Sequence, residues 1–148
     1  MTPEHKAYLE LNGTGNFIRL DLYDRTYSNA DLDWDRDWIR SNVSLKAGGF
    51  QGQFQAQLRT SDFIHFKVEL VQLYSTLKGT ATFNTLEEQV KISVVGDGVG
   101  HIVAHCLAMD CAGAGNRLSF EIELDQSYLP EVIGQLDSIV RELHAPQN

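Results

Sequence analysis

The strongest constraint on this chain is an alternation of apolar and polar residues that recurs along its length. Ile18, Leu20 and Leu22 alternate with Arg19 and Asp21, and Val43, Leu45 and Ala47 alternate with Ser44 and Lys46. Phe50, Gly52, Phe54, Ala56 and Leu58 share one side of a third segment, with Gln51, Gln53, Gln55 and Gln57 on the other. Leu118, Phe120, Ile122 and Leu124 alternate with Ser119, Glu121 and Glu123. Successive side chains of an extended chain point to opposite faces. Each segment is therefore expected as a strand with one buried and one wet face, the habit of antiparallel sheets. Residues 8–11, 80–83, 89–95 and 101–108 are shorter strand candidates. Gly48-Gly49 and Gly96-Asp97-Gly98 are turn signals, so the strands flanking each are expected to form hairpins.

Two segments switch to a helical period. Over residues 62–78 the apolar positions are Phe63, Phe66, Leu70, Leu73, Tyr74 and Leu77. Ser61 is the expected cap and Gly79 the expected left-handed stop. Over residues 128–143 they are Leu129, Val132, Ile133, Leu136, Ile139, Val140 and Leu143. Ser127 is the expected cap there, and Pro130 is tolerated in the first turn. One apolar stripe on each helix means that both should lie on a sheet.

A shift of 66 residues superimposes these patterns, placing Phe54 on Phe120, Leu58 on Leu124, Ser61 on Ser127, Phe63 on Leu129, Leu70 on Leu136 and Leu77 on Leu143. The upstream strands align poorly, because the loop over residues 110–116 is longer than Gly48-Gly49. The expected fold class is α+β: a mostly antiparallel twisted sheet with two amphipathic helices packed on it, in two pseudo-repeated halves. No linker separates the half-units, about 8–79 and 80–145, so a single domain over 1–148 is expected.

Charge bounds the function. The 148 residues carry 12 basic and 20 acidic side chains, a net charge of −8. Such a surface repels nucleic acid, whose phosphates need clustered Lys and Arg, and attracts basic partners. The N-terminal sequence lacks the apolar core of a signal peptide, and no apolar run approaches the roughly 20 residues of a membrane span. Cytoplasmic residence is expected, with Cys106 and Cys111 as two small buried thiols.

The most unusual stretch contains Asp31, Asp33, Trp34, Asp35, Asp37 and Trp38. A calcium loop counted from Asp31 needs Gly at its sixth position and Glu at its twelfth; Arg36 and Asn42 stand there instead. Two readings remain: a polar loop anchored by one Trp, and a partner-binding patch in which Trp beside carboxylates suits a basic protein surface. His101, His105, Cys106 and Cys111 have the chemistry for zinc, but a strand places the two imidazoles roughly 13 Å apart. It also sends His105 and Cys106 to opposite faces, which excludes a Cys–His nucleophile pair. The glycines of residues 96–100 and 113–116 lack the following helix that a phosphate loop requires. Glu87, Glu88 and Asp125 are acid–base candidates only by type, and no Ser sits in a Gly-x-Ser-x-Gly elbow. No cofactor or metal is implied, and no catalysis is expected.

Several strings resemble a small bacterial family, the WapI-type immunity proteins. They are Asp33-Trp34-Asp35-Arg36-Asp37-Trp38-Ile39, Gly48-Gly49-Phe50-Gln51-Gly52 and Leu58-Arg59-Thr60-Ser61-Asp62-Phe63. The pattern continues in Leu73-Tyr74-Ser75-Thr76-Leu77-Lys78-Gly79, Leu86-Glu87-Glu88 and Gly96-Asp97-Gly98-Val99-Gly100-His101. It closes in Gly115-Asn116-Arg117-Leu118-Ser119-Phe120 and Leu124-Asp125-Gln126-Ser127-Tyr128-Leu129-Pro130. The resemblance covers about residues 8–143 and carries no catalytic motif. It implies a protein that binds and neutralises a cognate toxin domain in the producing cell's cytoplasm, by occlusion. Nuclease toxins are often basic, and an acidic partner would be steered to them. The competing reading is a protein- or ligand-binding module without catalytic activity; an uncharacterised hydrolase is the third.

Overall fold

Burial follows the alternation. A computed structural model describes residues 7–25, 38–85 and 87–143. Strands β1 (Ala7–Asn12), β2 (Phe17–Arg25), β3 (Trp38–Ala47) and β4 (Phe50–Arg59) pair in chain order as one antiparallel sheet. Helix α1 (Thr60–Thr76) follows. Strands β5 (Lys78–Asn84), β6 (Val90–Asp97), β7 (His101–Met109) and β8 (Arg117–Asp125) repeat the arrangement as a second sheet. A single 3-10 turn (Gln126–Tyr128) then leads into α2 (Leu129–Leu143). The α+β class and the two repeated halves are as expected, with the strands divided between two sheets. Gly48-Gly49 and residues 98–100 close the expected hairpins.

Leu9, Leu11, Ile18, Leu20, Val43 and Leu58 of the first sheet are buried, as are Ala81, Phe83, Ile92, Ala104 and Ile122 of the second. Together with Phe63, Phe66 and Leu70 of α1 and Leu129, Val132 and Leu136 of α2 they form one contiguous cluster. Phe83 of β5 stacks against Phe63 at 4.7 Å and Phe66 at 5.8 Å. Fully burying one such side chain stabilises the fold by roughly 1.5–3 kcal/mol, and this trio ties α1 to the second sheet.

Four local expectations are corrected. The alternating face of β4 is not buried throughout: Leu58 and Ala56 are, Phe54 is half-buried, and Phe50 at the hairpin is 67% exposed. The sheet outruns the core there. Both caps lie two residues before the expected hydroxyls: Arg59 is the N-cap of α1, and Asp125 caps the 3-10 turn by accepting from Ser127 N at 3.1 Å. Residues already helical at 60 and turned at 126 leave Ser61 and Ser127 too far in. The left-handed stop of α1 is Leu77 (φ 60), whose N–H reaches Leu73 O at 2.6 Å; Gly79, at φ 120, is the second residue of β5 instead. Cys106 is buried as expected, and burial pushes its thiol up to about 12. Cys111 is not buried as expected: it lies on the β7–β8 loop, outside the sheet, and is exposed.

The two halves brace each other reciprocally. In the first direction, Glu69 of α1 accepts at 2.9 Å from the backbone N–H of Thr82 on edge strand β5. In the second, Gln135 of α2 accepts at 2.9 Å from the N–H of Glu10 on edge strand β1. Glu69 and Gln135 are related by the 66-residue shift. The last strands are held in the same crossed manner. Gln89 donates to the carbonyl of Gln55 on β4 at 3.4 Å, and Asn16 donates to that of Glu121 on β8 at 2.8 Å. Gln55 and Glu121 are again 66 residues apart. Each helix thus satisfies edge groups of the other half's first sheet strand, which otherwise invite foreign strands. At the same seam Gly13 approaches β8 so closely that a methyl group there would overlap the carbonyl oxygen of Glu123. Tyr128 donates to Glu10 O at 2.9 Å, and burial, with Glu10 and Glu131 nearby, pushes its phenol up to about 12.

Candidate interaction surface

Of the six residues expected to touch a partner, Asp31, Asp33, Trp34, Asp35 and Asp37 lie outside the described residues. Trp38 opens β3, is half-buried, and stands opposite Arg59 in the β3–β4 register. Arg59 in turn grips Asp62, Nη2 to Oδ1 at 3.0 Å. That contact places Trp38 beside the N-terminal turn of α1.

Asp62 forms one wall of a groove of about 340 Å³ between α1 and β5, lined also by His65, Val68, Glu69, Thr82 and Asn84. Asp62 is 8% exposed and its charge is matched by Arg59. Glu69 is exposed, and one of its oxygens is engaged by the Thr82 N–H. Thr82 N–H is neutral, so the Glu69 charge remains in the groove. Val68 belongs both to the groove and to the outer face of α1. There it is 55% exposed and continues into Val71 and Tyr74, each 44% exposed, with half-buried Ile64 one turn before. Positions 64, 68 and 71 share one side of a helix, and 74 borders it. Tyr74, expected on the buried stripe, is thus corrected to the surface: it lies past the edge of the face set by Phe63, Phe66, Leu70 and Leu73.

The repeat supplies an internal control. At the α2 positions 66 residues on stand Pro130, Gly134, Asp137 and Val140. Phe63, Phe66, Leu70 and Leu73 of α1 are matched by buried apolar residues of α2; residues that face outward are apolar mainly in α1. The sheets diverge similarly. Gln55, Gln57 and Arg59 at the end of β4 correspond to Glu121, Glu123 and Asp125 of β8. Residues 78–148 hold ten acidic side chains against four basic, a net −6 of the chain's −8.

Three carboxylates, those of Asp97, Asp110 and Asp125, have turn-forming roles. Asp97 accepts from the N–H of Val99 at 2.8 Å and of His101 at 3.2 Å. Asp110 binds the side chain of Asn116 at 3.1 Å and its N–H at 2.7 Å. Asp125 binds the hydroxyl and N–H of Ser127. The N–H of Val99, the amide of Asn116 and the hydroxyl of Ser127 are the respective main causes that hold these carboxyls below their usual range. Glu87 and Glu88 are exposed on the β5–β6 loop, away from Asp125 in the sheet order. His105 is 3.6 Å from Glu121 on the wet face, while Cys106 beside it is buried. Among the described residues no group of three His, Cys, Asp or Glu side chains is placed to hold a metal ion. Among the same residues, no helix is long and apolar enough to cross a membrane.

The arrangement defines a protein built of two crossed strand–helix halves whose conspicuous features are surfaces. Solved structures share this fold. The plant transcriptional regulator PBF-2 superimposes with a TM-score of 0.51 at 12% identity, covering 97% of this chain and 85% of that one. A likeness at that identity concerns the fold alone. Comparison with curated proteins finds no match. The family model of the immunity protein WapI-like family matches residues 9–144, and the chain belongs to that family.

Proposed function

We propose that this chain neutralises a cognate bacterial toxin domain by binding it and covering its working surface, without chemistry of its own. The observation that carries this reading is membership of an immunity protein family over nearly the whole chain. The concentration of negative charge in residues 78–148 supports a basic partner, since complementary charge raises association rates and specificity. A toxin that acts on nucleic acid fits that chemistry, because such proteins carry clustered Lys and Arg. The residues 31–38 contribute further carboxylates and Trp34 to the same encounter, and Trp38 stands opposite Arg59 just before α1 begins. The site of action is the cytoplasm of the producing cell.

The experiment is co-expression with the toxin domain encoded beside this gene. Growth is restored by the wild-type chain, and the two proteins co-purify. Failure of the chain to protect against that toxin, or protection without any complex, contradicts the proposal.

A further inference from the structure

We infer that the outer face of α1 is the anchoring half of the interface: the ridge of Ile64, Val68, Val71 and Tyr74 takes an apolar strip of the partner, and the adjoining groove takes a Lys or Arg of the same partner against Glu69. This inference rests on the immunity reading and names the surface that reading leaves open.

Three observations carry it. First, the shared fold does not require an apolar ridge here. The equivalent positions of α2 are Pro130, Gly134, Asp137, whose carboxylate pairs with Lys67 of α1 at 2.6 Å, and half-buried Val140. Exposed apolar side chains grouped on one helix face, rather than scattered, mark a contact surface. Second, the charge of Glu69 is not needed by the fold either. Its structural task is to accept one backbone N–H, and Gln135 performs that task in the other half at the same 2.9 Å. A carboxylate where an amide suffices leaves a negative charge in a groove of about 340 Å³. That groove accommodates a lysine or arginine head group, and Arg59, the cation beside it, is already turned onto Asp62. Third, ridge and groove are continuous through Val68, so one partner segment reaches both. An apolar anchor beside a charged pocket is the arrangement of binding hot spots, with surrounding charges serving encounter.

The test measures binding of the toxin domain encoded beside the gene to purified full-length variants. Val68→Asn/Val71→Asn keeps helix propensity close to the native value and touches half-exposed positions, so its melting temperature stays near wild type. It is expected to weaken binding roughly 30- to 100-fold, mostly through a faster off-rate. Glu69→Gln retains the bond to Thr82 N, leaves melting unchanged, and weakens binding about five- to tenfold with a shallower salt dependence. If wild type binds and both variants bind equally well, the surface is misplaced while the immunity reading stands. If wild type itself neither binds nor protects, the reading fails and the inference falls with it. Self-association of the wild type that Val68→Asn/Val71→Asn abolishes would give this face to a second copy of the chain and overturn the proposal.

Discussion

β4 and β8 occupy matching places in the two halves, yet one ends in Gln55, Gln57 and Arg59 and the other in Glu121, Glu123 and Asp125. The helices that follow diverge in the same selective way. Phe63, Phe66, Leu70 and Leu73 of α1 are matched by Leu129, Val132, Leu136 and Ile139 of α2, all buried. On the outer faces, Val68 and Val71 are set against Gly134 and Asp137. The apolar core positions have kept their character, while outward positions, and the charge at the bracing pair Glu69 and Gln135, have not. The lesson is that a repeat separates scaffold from surface inside one molecule. An outward feature present in only one half is not imposed by the architecture that the halves share.

This contrast is open to direct attack, beginning with the shared core. Phe63→Ala is expected to cost about 3–5 kcal/mol, and its partner Leu129→Ala about 2–5 kcal/mol, in chemical denaturation. Both are fully buried, and the Phe63 ring also supports Phe83 across the seam at 4.7 Å. Comparable losses confirm that each half depends on the other's helix. A small loss for either would mean that one half stands alone.

Next come the crossed bonds. Gln135→Ala leaves the part-buried N–H of Glu10 without its acceptor, at a cost of about 1–3 kcal/mol. Glu69→Ala exposes the Thr82 N–H to water and is expected to cost less, about 0.5–1 kcal/mol. Thermal melts of the pair, with Glu69→Gln as the neutral control, rank the two sides of the seam.

Acid separates the halves more gently. Asp97, Asp110 and Asp125, all in the second half, have pKa values lowered below 3.8 by donors in their own turns. A lowered folded-state pKa contributes stability that is present above the unfolded value and is lost as pH falls through the folded one. Below the usual carboxylate range, the β6–β7 and β7–β8 turns are therefore expected to lose amide protection before the Gly48-Gly49 turn does. Hydrogen exchange along a descending pH series reads the order directly; simultaneous loss in both halves would remove the electrostatic distinction.

The smallest effect concerns encounter. Glu121→Gln/Glu123→Gln makes β8 resemble β4 and is expected to slow toxin association a few-fold at low salt, with little change at high salt. Asp33→Asn/Asp35→Asn/Asp37→Asn tests residues 31–38 in the same stopped-flow assay. Unchanged rates for both would place steering elsewhere.

Much of the fold was legible because alternation and helical period are local signals. The strands around Ile18, Val43, Leu58 and Ile122, both helices and both hairpins follow from them. The halves' exchange of helices was not, since Glu69 and Thr82, or Gln135 and Glu10, meet through space with nothing in the sequence to pair them. The end of α1 was misread because left-handed stops favour Gly, and Leu77 adopts φ 60 without one. The sheet's overhang at Phe50 depends on how far the core extends, which no strand reports about itself. Of the residues 31–38, only Trp38 gains a place. The α1 ridge is not legible from periodicity, because Val68 and Val71 lie off the buried stripe. Comparing them with Gly134 and Asp137 across the 66-residue shift was the signal that would have exposed them.

The most direct test of the central claim is a titration of the toxin domain encoded beside this gene, followed by mass spectrometry of both chains. Binding by occlusion predicts inhibition that is complete at one equivalent, unchanged masses, and full toxin activity once the complex is separated in denaturant and the toxin refolded. Inactivation by substoichiometric amounts of this chain, or a toxin of altered mass, would contradict it.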